Sequence, residues 1–214
     1  MVYYTKDMKK SIGEIRKWLG IGSVNVFGLP FSGKDTVGKR LADDLSAVFL
    51  SSGEILREAE QSDNALADEL KQGKLANTDK FREIVLPHFS KRDLQGSPLV
   101  LSSVGRWSGE EILVMDALKK SGHELKAVIF LDIPHNEVSG RWEKAKELAD
   151  RGGRSDDDSD VVLAKRLAEF EEKTLPVLKH YRKLGLLLDI DGVGTRDDVY
   201  ERVIKALSAL TNHA

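Results

Sequence analysis

A glycine-rich segment near the N-terminus carries the residue types and spacing that point most directly to chemistry. It reads Gly28-Leu29-Pro30-Phe31-Ser32-Gly33-Lys34-Asp35-Thr36. Glycines let a backbone curl so that successive N–H groups face inward, and a helix N-terminus adds unpaired donors and a positive dipole end. A lysine directly after the second glycine can reach the outer phosphates of a nucleotide. The segment predicts a phosphate-binding loop, and the alternative is an ordinary strand-to-helix turn.

The position after the lysine departs from the strict pattern, which has Ser or Thr there. Asp35 occupies it, and a hydroxyl comes one residue later at Thr36. A carboxylate ~4 Å from phosphate at an effective dielectric near 20 is repelled by about 4 kcal/mol unless a cation lies between them. Asp35 and Thr36 are therefore candidate Mg²⁺ contacts. The alternative for Asp35 is an acid favoured in the first turn of a helix.

The elements that must position this loop follow from hydrophobic patterning. Residues 24–27 form a β-rich run before the loop, and Val37, Leu41 and Leu45 repeat at helical spacing after it. Further apolar runs predict strands at residues 47–51, 99–101, 127–131 and 184–190. Helical patterns separate them, including residues 79–91 with a disturbance at Pro87, 110–120, 135–150, 159–180 and 196–210. Short apolar strands alternating with helices predict an α/β fold with a five-stranded parallel sheet and helices on both faces.

Composition narrows the class of protein. The chain has 214 residues, a formal net charge of −2 and no cysteine. Nucleic-acid-binding proteins usually carry an excess of basic residues, and this chain has none. No apolar run approaches the roughly 20 residues of a membrane span. The polar N-terminus does not look like a secretory signal. The absence of cysteine excludes disulfides and thiolate metal sites. We expect one cytoplasmic domain with neither nucleic-acid nor membrane partners.

Four further segments, in this order, complete a pattern with the glycine-rich loop. They are Ser51–Arg57, Gly73–Leu75, Val100–Arg106 and Arg154–Asp157. Over about residues 24–210 the chain resembles the adenylate kinase and UMP/CMP kinase family of nucleoside monophosphate kinases. The resemblance implies a three-layer P-loop kinase fold over residues 23–214, with a monophosphate-binding helical region at about 52–82 and a short lid at about 150–158. Residues 1–22 stand outside it as a helical extension, either packed on the domain or used for docking.

The resemblance also assigns site residues one at a time. Residues matching the family's ATP-binding positions are Gly28, Ser32, Gly33, Lys34, Asp35, Thr36, Arg141 and Gly194. Residues matching its monophosphate-binding positions are Ser52, Arg57, Leu75, Ala76, Gly105, Arg106, Glu110, Arg154 and Arg166. Those matching its catalytic positions are Lys34, Arg106, Arg141, Arg154 and Arg166.

The implied reaction is transfer of the γ-phosphoryl group of ATP to a nucleoside monophosphate, with AMP as the default acceptor and two nucleoside diphosphates as products. ATP and Mg²⁺ are the implied cofactors, and a monomer is expected. Phosphoryl transfer depends on positioning and charge stabilisation, and guanidinium groups bind phosphate bidentately. Any one arginine alone could be a surface residue. Two alternatives remain: a catalytically weakened nucleotide-binding protein acting through partners, and a small-molecule kinase with another acceptor.

Three positions depart from the family pattern. Phe31 stands where glycine is usual, and a left-handed backbone there would cost a non-glycine residue about 1–2 kcal/mol. Ser102 stands where an aspartate usually supports the magnesium water shell, and Asp35 is a candidate replacement. Glu110 stands near a base-reading Gln or Asn, and it is either a base contact or a helix-capping acid. Its neighbour Glu111 could serve instead. Trp107 could stack on the base or simply pack.

Overall fold

The computed structural model describes residues 4–61, 63–147 and 159–211. It contains one sheet of five parallel strands in the order β2-β3-β1-β4-β5. The strands are β1 Ser23–Gly28, β2 Val48–Ser51, β3 Leu99–Ser102, β4 Leu125–Asp132 and β5 Leu187–Asp191. The predicted α/β class and parallel five-stranded sheet are confirmed.

Helices connect the strands and cover the sheet. They are α1 Lys6–Leu19, α2 Lys34–Leu45, α3 Ser52–Glu60, α4 Asn64–Lys71, α5 Thr78–Ile84, α6 Glu110–Lys120, α7 His135–Glu147, α8 Asp160–Glu169, α9 Leu175–Lys183 and α10 Arg196–Thr211. Across these described ranges, none combines the length and apolarity needed to cross a membrane.

Two predicted helices are interrupted. The pattern over residues 79–91 gives α5 only to Ile84, and a 3₁₀ turn at Leu86–Ser90 follows because Pro87 cannot donate a helical hydrogen bond. The predicted single helix over residues 159–180 is wrong in its middle. A π-helical turn at Phe170–Thr174 separates α8 from α9, and Pro176 lies at the start of α9. A π-helical turn adds one residue to one turn of the helix, so it shifts the hydrophobic pattern without ending it, and the pattern over residues 159–180 still predicts one helix.

The sheet separates two hydrophobic cores. One core includes Phe27, Leu101 and Val128, with helices α3 to α6 and α9 around it. The other includes Val26, Leu41 and Ile129, with helices α1, α2 and α10 around it. Central strands covered on both faces explain why β1 and β3 are buried along their whole length.

The N-terminal helix α1 packs against the second core. Ile12, Ile15 and Leu19 are buried on one of its faces, as their helical spacing indicates. The hydroxyls of Tyr4 and of Tyr200 in α10 both donate to the carboxylate of Asp44 in α2. The extension is therefore joined to two helices of the domain by apolar and polar contacts.

The carboxyl ends of the strands meet at one edge of the sheet, where ligands bind in open parallel sheets. The glycine-rich loop follows β1, Ser51 ends β2, and Ser102 ends β3. The side-chain amide of Asn25, inside β1, donates to the carbonyl oxygen of Val104 at 2.8 Å and accepts from its N–H at 3.3 Å. This pairing fixes the chain after β3 against β1 and so positions Gly105 and Arg106.

Candidate active site

The glycine-rich loop has the close backbone turn that phosphate binding needs. A Cβ atom at Gly28 would lie 2.3 Å from the Ser32 hydroxyl oxygen, so only glycine fits beside the returning loop. Gly33 has a left-handed φ of +87° and forms the N-cap of α2. Lys34 is the first residue of α2, so its side chain starts beside the backbone N–H groups of the first turn, and it lines the cleft described below.

Phe31 adopts a left-handed backbone, with φ of +61°. A non-glycine residue in that conformation costs about 1–2 kcal/mol, as predicted for this position. The aromatic ring offsets part of it, because its centroid lies 5.4 Å from the Trp142 ring of α7 at an interplanar angle of 55°. Tilted aromatic pairs at this separation contribute about 0.5–1.5 kcal/mol beyond area burial.

Arg141 of α7 connects the loop to the end of β5. Its Nη1 donates to the carbonyl oxygens of Phe31 at 3.3 Å and Ser32 at 3.2 Å, and its Nη2 donates to that of Gly192 at 2.8 Å. Arg141 therefore holds two backbone segments, and Gly194 lies two residues beyond the second one. Gly28, Ser32, Thr36, Arg141 and Gly194 lie around the loop rather than in the cleft described next.

A cleft of about 940 Å³, including its part open to solvent, lies beside Lys34 and Asp35. It brings together most of the predicted monophosphate-binding residues: Ser52, Arg57, Leu75, Ala76, Gly105, Arg106, Glu110 and Arg166. Three of these are arginines from separate elements, α3, the chain after β3, and α8. The predicted Arg154 lies outside the described residues.

Ser52 supports this cleft through the backbone. Its hydroxyl donates to the carbonyl oxygen of Ser103 at 2.7 Å, so it joins the start of α3 to the end of β3. A Cβ atom at Gly53 would lie 3.1 Å from Nη1 of Arg57. The glycine therefore leaves room for the guanidinium group to lie over the N-terminal turn of α3, where backbone N–H groups favour an anion.

Asp35 and Ser102 contact each other across the site. The Ser102 hydroxyl donates to Oδ1 of Asp35 at 2.5 Å, and both residues line the cleft. The family usually has an aspartate at position 102. Here a carboxylate lies within hydrogen-bond distance of that position, but α2 carries it instead of β3. This contact fits the predicted exchange of roles between the two residues.

Glu110 is buried at the first turn of α6, with 2% of its surface exposed. Its Oε2 accepts from the backbone N–H groups of Arg106 at 2.8 Å and Trp107 at 3.0 Å. Burial raises the pKa of Glu110, and the hydrogen bonds from Trp107 and Arg106, together with the Thr78 side chain, offset part of that rise. Oε1 is buried, and no hydrogen bond of normal geometry reaches it from the described residues.

Glu111 behaves differently from its neighbour. Its Oε2 accepts from the N–H of Gly109 at 2.7 Å, and its Oε1 lies 2.8 Å from Nδ1 of His180. It is not among the residues that line the cleft. Of the two acids, only Glu110 faces the place where an acceptor would bind.

Glu169 is a site residue that the sequence argument missed. It is 3% exposed, lines the cleft, and accepts from the N–H of Leu75 at 3.3 Å and from Nζ of Lys173 at 2.6 Å. Burial alone would raise the pKa of Glu169, but hydrogen bonds from Lys173, Lys165 and Leu75 outweigh it and lower the pKa. Nζ of Lys173 also lies 4.0 Å from the centre of the Trp107 ring. The sequence predicts one regular helix around Glu169, and an acid in such a helix is expected to face solvent. No sequence pattern therefore pointed to Glu169 as a cleft residue.

Comparisons with known proteins agree with this geometry. The family model described as adenylate kinase matches residues 26–186. An adenylate kinase from Thermus thermophilus is 30% identical over 194 residues, covering 88% of this chain and 99% of the relative. One from Micrococcus luteus is 30% identical over 186 residues, covering 85% and 88%. One from Xylella fastidiosa is 31% identical over 186 residues, covering 85% and 97%.

Proposed function

Because this chain belongs to the adenylate kinase family, we propose that it transfers the γ-phosphoryl group of ATP to a nucleoside monophosphate, with AMP as the default acceptor. The products are two nucleoside diphosphates. The observation that carries the proposal is a single cleft that holds the phosphate-loop lysine, Lys34, together with Arg57, Arg106 and Arg166.

The two substrates bind from opposite sides of this cleft. The loop from Gly28 to Thr36 holds the triphosphate of ATP through backbone N–H groups, and Lys34 balances the charge of its outer phosphates. Arg57 and Arg106 hold the phosphate of the acceptor. An oxygen of that phosphate attacks the γ-phosphorus, the bond from the γ-phosphorus to the bridging oxygen breaks, and ADP leaves. No general base is needed because the attacking phosphate is already anionic.

The remaining arginines stabilise the charge of the transferring group. Arg166 of α8 lines the same cleft. We assign the same charge-stabilising role to Arg154, which lies with the predicted lid outside the described residues. Arg141 lies beside the loop and keeps Phe31, Ser32 and Gly192 in register, so it acts on the ATP side. Guanidinium groups from several elements suit a transition state whose charge spreads over the equatorial oxygens.

The residues at the start of α2 fit a magnesium ion. Asp35 and Thr36 supply hard oxygen donors, and Asp35 is already oriented by the Ser102 hydroxyl. Among the described residues no group of three or more His, Asp or Glu side chains could hold a metal by itself. Mg²⁺ binds through one or two protein oxygens, water and the substrate phosphates. When bound, Mg²⁺ would neutralise charge on the β and γ phosphates of ATP.

We also propose that the enzyme is monomeric and cytoplasmic.

The decisive experiment is a coupled assay of the purified chain with ATP, Mg²⁺ and each nucleoside monophosphate in turn. We expect diphosphate formation, with AMP among the accepted substrates. Binding of ATP without transfer would instead indicate a protein that has lost its chemistry. Transfer only to a compound that is not a nucleotide would indicate a different acceptor, and either result would contradict the proposal.

Lys34→Met, purified in parallel, guards against a contaminating kinase. Methionine keeps the approximate length of the side chain and removes the ammonium group that meets the outer phosphates. We expect the variant to fold, as judged by its melting temperature, and to lose about a hundredfold or more in kcat, a loss typical of removing a charge that stabilises the transition state. Equal activity in the two preparations would mean that the observed transfer does not come from this site.

A further inference from the structure

Lys173, in the π-helical turn after α8, makes contacts that the proposed reaction does not explain. Its Nζ lies 2.6 Å from Oε2 of Glu169 and 4.0 Å from the centre of the Trp107 ring. The Lys173 side chain is 18% exposed. Glu169 and Trp107 both line the acceptor cleft, and Lys173 is not among the lining residues. Lys173 therefore contacts two side chains of the cleft without lining the cleft itself.

The indole ring of Trp107 is oriented by contacts with its faces. Its Nε1 is buried, and no hydrogen bond of normal geometry reaches that atom from the described residues. The backbone N–H of Trp107 donates to Oε2 of Glu110 at 3.0 Å, so the chain is anchored there but the ring is not. An ammonium group over an indole face is attracted by the ring quadrupole, most strongly where water is excluded. Lys173 therefore supplies a polar contact that orients this ring.

The same ammonium group joins two segments of the cleft. Through Glu169 it reaches the backbone N–H of Leu75, which donates to Oε2 of that carboxylate at 3.3 Å. Through the indole ring it reaches Trp107, which directly follows Arg106, the predicted contact of the acceptor phosphate. Single π-helical turns inside helices frequently occur at functional sites. Here the turn brings one cation between the Arg106 segment and the Leu75 segment.

We propose that Lys173 is a positioning residue for the acceptor, which holds the Trp107 ring and the Glu169 carboxylate together and so keeps Arg106 and Leu75 at the spacing that a nucleoside monophosphate needs. This inference rests on the proposed function and adds to it a residue outside the cleft. Groups that contact a substrate lose effectiveness when the residues behind them are loosened. The glycine-rich loop makes none of these contacts, so the effect should fall on the acceptor and not on ATP.

Lys173→Met tests the inference, because methionine keeps most of the side-chain length and removes the ammonium group. We would measure the Kd of AMP and of ATP by calorimetry, and the KM of each in the coupled assay with Mg²⁺. We expect the Kd and KM of AMP to rise about tenfold and those of ATP to change by less than about twofold. Loss of affinity for both ligands alike would indicate a merely structural role and would contradict the inference.

Lys165→Met is the matched control for the ion pair. Nζ of Lys165 lies 3.2 Å from Oε1 of Glu169, the same carboxylate, whereas Lys173 is the lysine over the Trp107 ring. We expect Lys165→Met to change the Kd of AMP by less than about twofold, because an ion pair with a half-exposed lysine contributes little. If it weakens AMP as much as Lys173→Met does, loss of charge beside Glu169 explains the effect and the inference is wrong.

Lys173→Arg should rescue the methionine variant. A guanidinium group can bind a carboxylate and lie over an indole face at the same time, so we expect the Kd of AMP to return to within about threefold of the wild-type value. An arginine variant as weak as the methionine variant would show that the cation is not what matters, and would overturn the inference.

Trp107→Leu completes a double-mutant cycle with Lys173→Met. If Lys173 acts through the ring, Lys173→Met should weaken AMP about tenfold when Trp107 is present and less than about twofold when it is leucine. An equal loss in both backgrounds would show that Lys173 does not act through Trp107, and would contradict the inference. Melting temperatures of all variants define a temperature at which each one is folded, and every Kd is measured below it.

Calorimetry separates this inference from the proposed function. The expected pattern of AMP affinities without phosphoryl transfer by the wild type would support the role of Lys173 and contradict the proposed function. Transfer by the wild type, with the AMP affinity of Lys173→Met unchanged, would support the proposed function and overturn the role of Lys173. If no monophosphate binds, both are wrong.

Discussion

Asp35 and Ser102 lie on two different elements and share one hydrogen bond, in which the Ser102 hydroxyl donates to Asp35 at 2.5 Å. A carboxylate on α2 can therefore act where a residue on β3 carries only a hydroxyl. Its position one residue after Lys34 gives it opposite effects on ATP with and without a cation. Without one it would repel the phosphates, and we propose that with Mg²⁺ it would instead supply an oxygen ligand or a water contact to the ion.

Asp35→Asn tests this role through binding alone. We expect ATP to bind several-fold more tightly to the variant without Mg²⁺, because repulsion is removed, and to gain about tenfold less from added Mg²⁺ than the wild type. Calorimetry of ATP with and without Mg²⁺ measures both changes. Asp43→Asn, an exposed acid later in α2, is the control. An unchanged magnesium dependence and unchanged turnover in Asp35→Asn would show that the residue has no such role.

Phe31 shows how one side chain offsets a strained backbone. Its φ of +61° favours glycine, and its ring lies against Trp142. Trp142 in turn donates from Nε1 to Asp160 at 2.9 Å, so the contact joins the phosphate loop to both α7 and α8. Backbone strain and aromatic packing are of similar size here, about 1 kcal/mol each.

Phe31→Gly and Phe31→Ala separate the two contributions. Both variants lose the ring, but only alanine keeps the strain. We expect Phe31→Ala to lower the free energy of unfolding by about 1–3 kcal/mol and Phe31→Gly to lower it by about 1 kcal/mol less. Urea denaturation measures the difference. If alanine is as stable as glycine at this position, the left-handed backbone carries no strain.

At the scale of elements, the π-helical turn at Phe170–Thr174 decides how α8 meets the acceptor region. Glu169 is the last residue of α8 before this turn and accepts from the N–H of Leu75, while Lys173, within the turn, lies over the Trp107 ring. Gly73 packs against the same helix, since a Cβ atom there would lie 3.1 Å from both Val162 and Arg166. Helix α8 therefore supports the acceptor region as well as carrying Arg166.

Glu169→Gln should loosen this support. Removing the charge leaves Lys173 and Lys165 without their shared partner, so we expect a loss of about 1–3 kcal/mol in the free energy of unfolding and a several-fold higher KM for the monophosphate. Because the folded pKa of Glu169 is lowered, its stabilising effect is complete above the ordinary glutamate pKa and is lost as the pH falls through the folded pKa.

The control for this prediction is Glu172→Gln, an exposed acid in the same π-helical turn. It should leave both stability and KM unchanged. Acid unfolding curves of the wild type and of Glu169→Gln should converge at low pH, where the wild-type carboxylate is protonated. Curves that stay parallel down to that pH would show that the charge of Glu169 does not stabilise the fold.

At the scale of the whole molecule, the N-terminal helix is part of the second core. Ile15 and Leu19 are fully buried between α2 and α10, and Cζ of Arg40 in α2 lies 3.9 Å from the centre of the Tyr200 ring. The apolar face of α1 is covered by the domain itself. This favours the packed-helix interpretation of residues 1–22 over a docking role for that face.

Ile15→Ala tests how much the domain depends on this helix. The substitution removes buried methyl and methylene groups, so we expect a loss of about 2–5 kcal/mol in the free energy of unfolding, with the Kd of ATP unchanged at temperatures where the protein is folded. Ile21→Ala, at a residue that is 49% exposed, is the matched control and should cost little. If Ile15→Ala lowers the free energy of unfolding only slightly, α1 contributes little to the stability of the domain.

The sequence alone determined the phosphate loop and the order of strands and helices. Both follow from local rules: glycine spacing dictates where the backbone can turn, and periodicity dictates which residues face the core. It also placed Ser52, Arg57, Arg106 and Arg166 among the candidates through their family positions. These residues lie in one cleft together with Lys34. A parallel sheet implies such a site, because the carboxyl ends of its strands meet at one edge.

Which of these side chains face the cleft, and which partners they have, depends on how the elements pack together. Glu110 and Glu111 are adjacent acids at one helix start, and their roles differ because one packs under Arg106 and the other against His180. Glu169 contacts Leu75, and Asp35 contacts Ser102, so both pairings join residues far apart in the chain. Such pairings are set by how elements pack in three dimensions, and local sequence patterns carry no information about that packing.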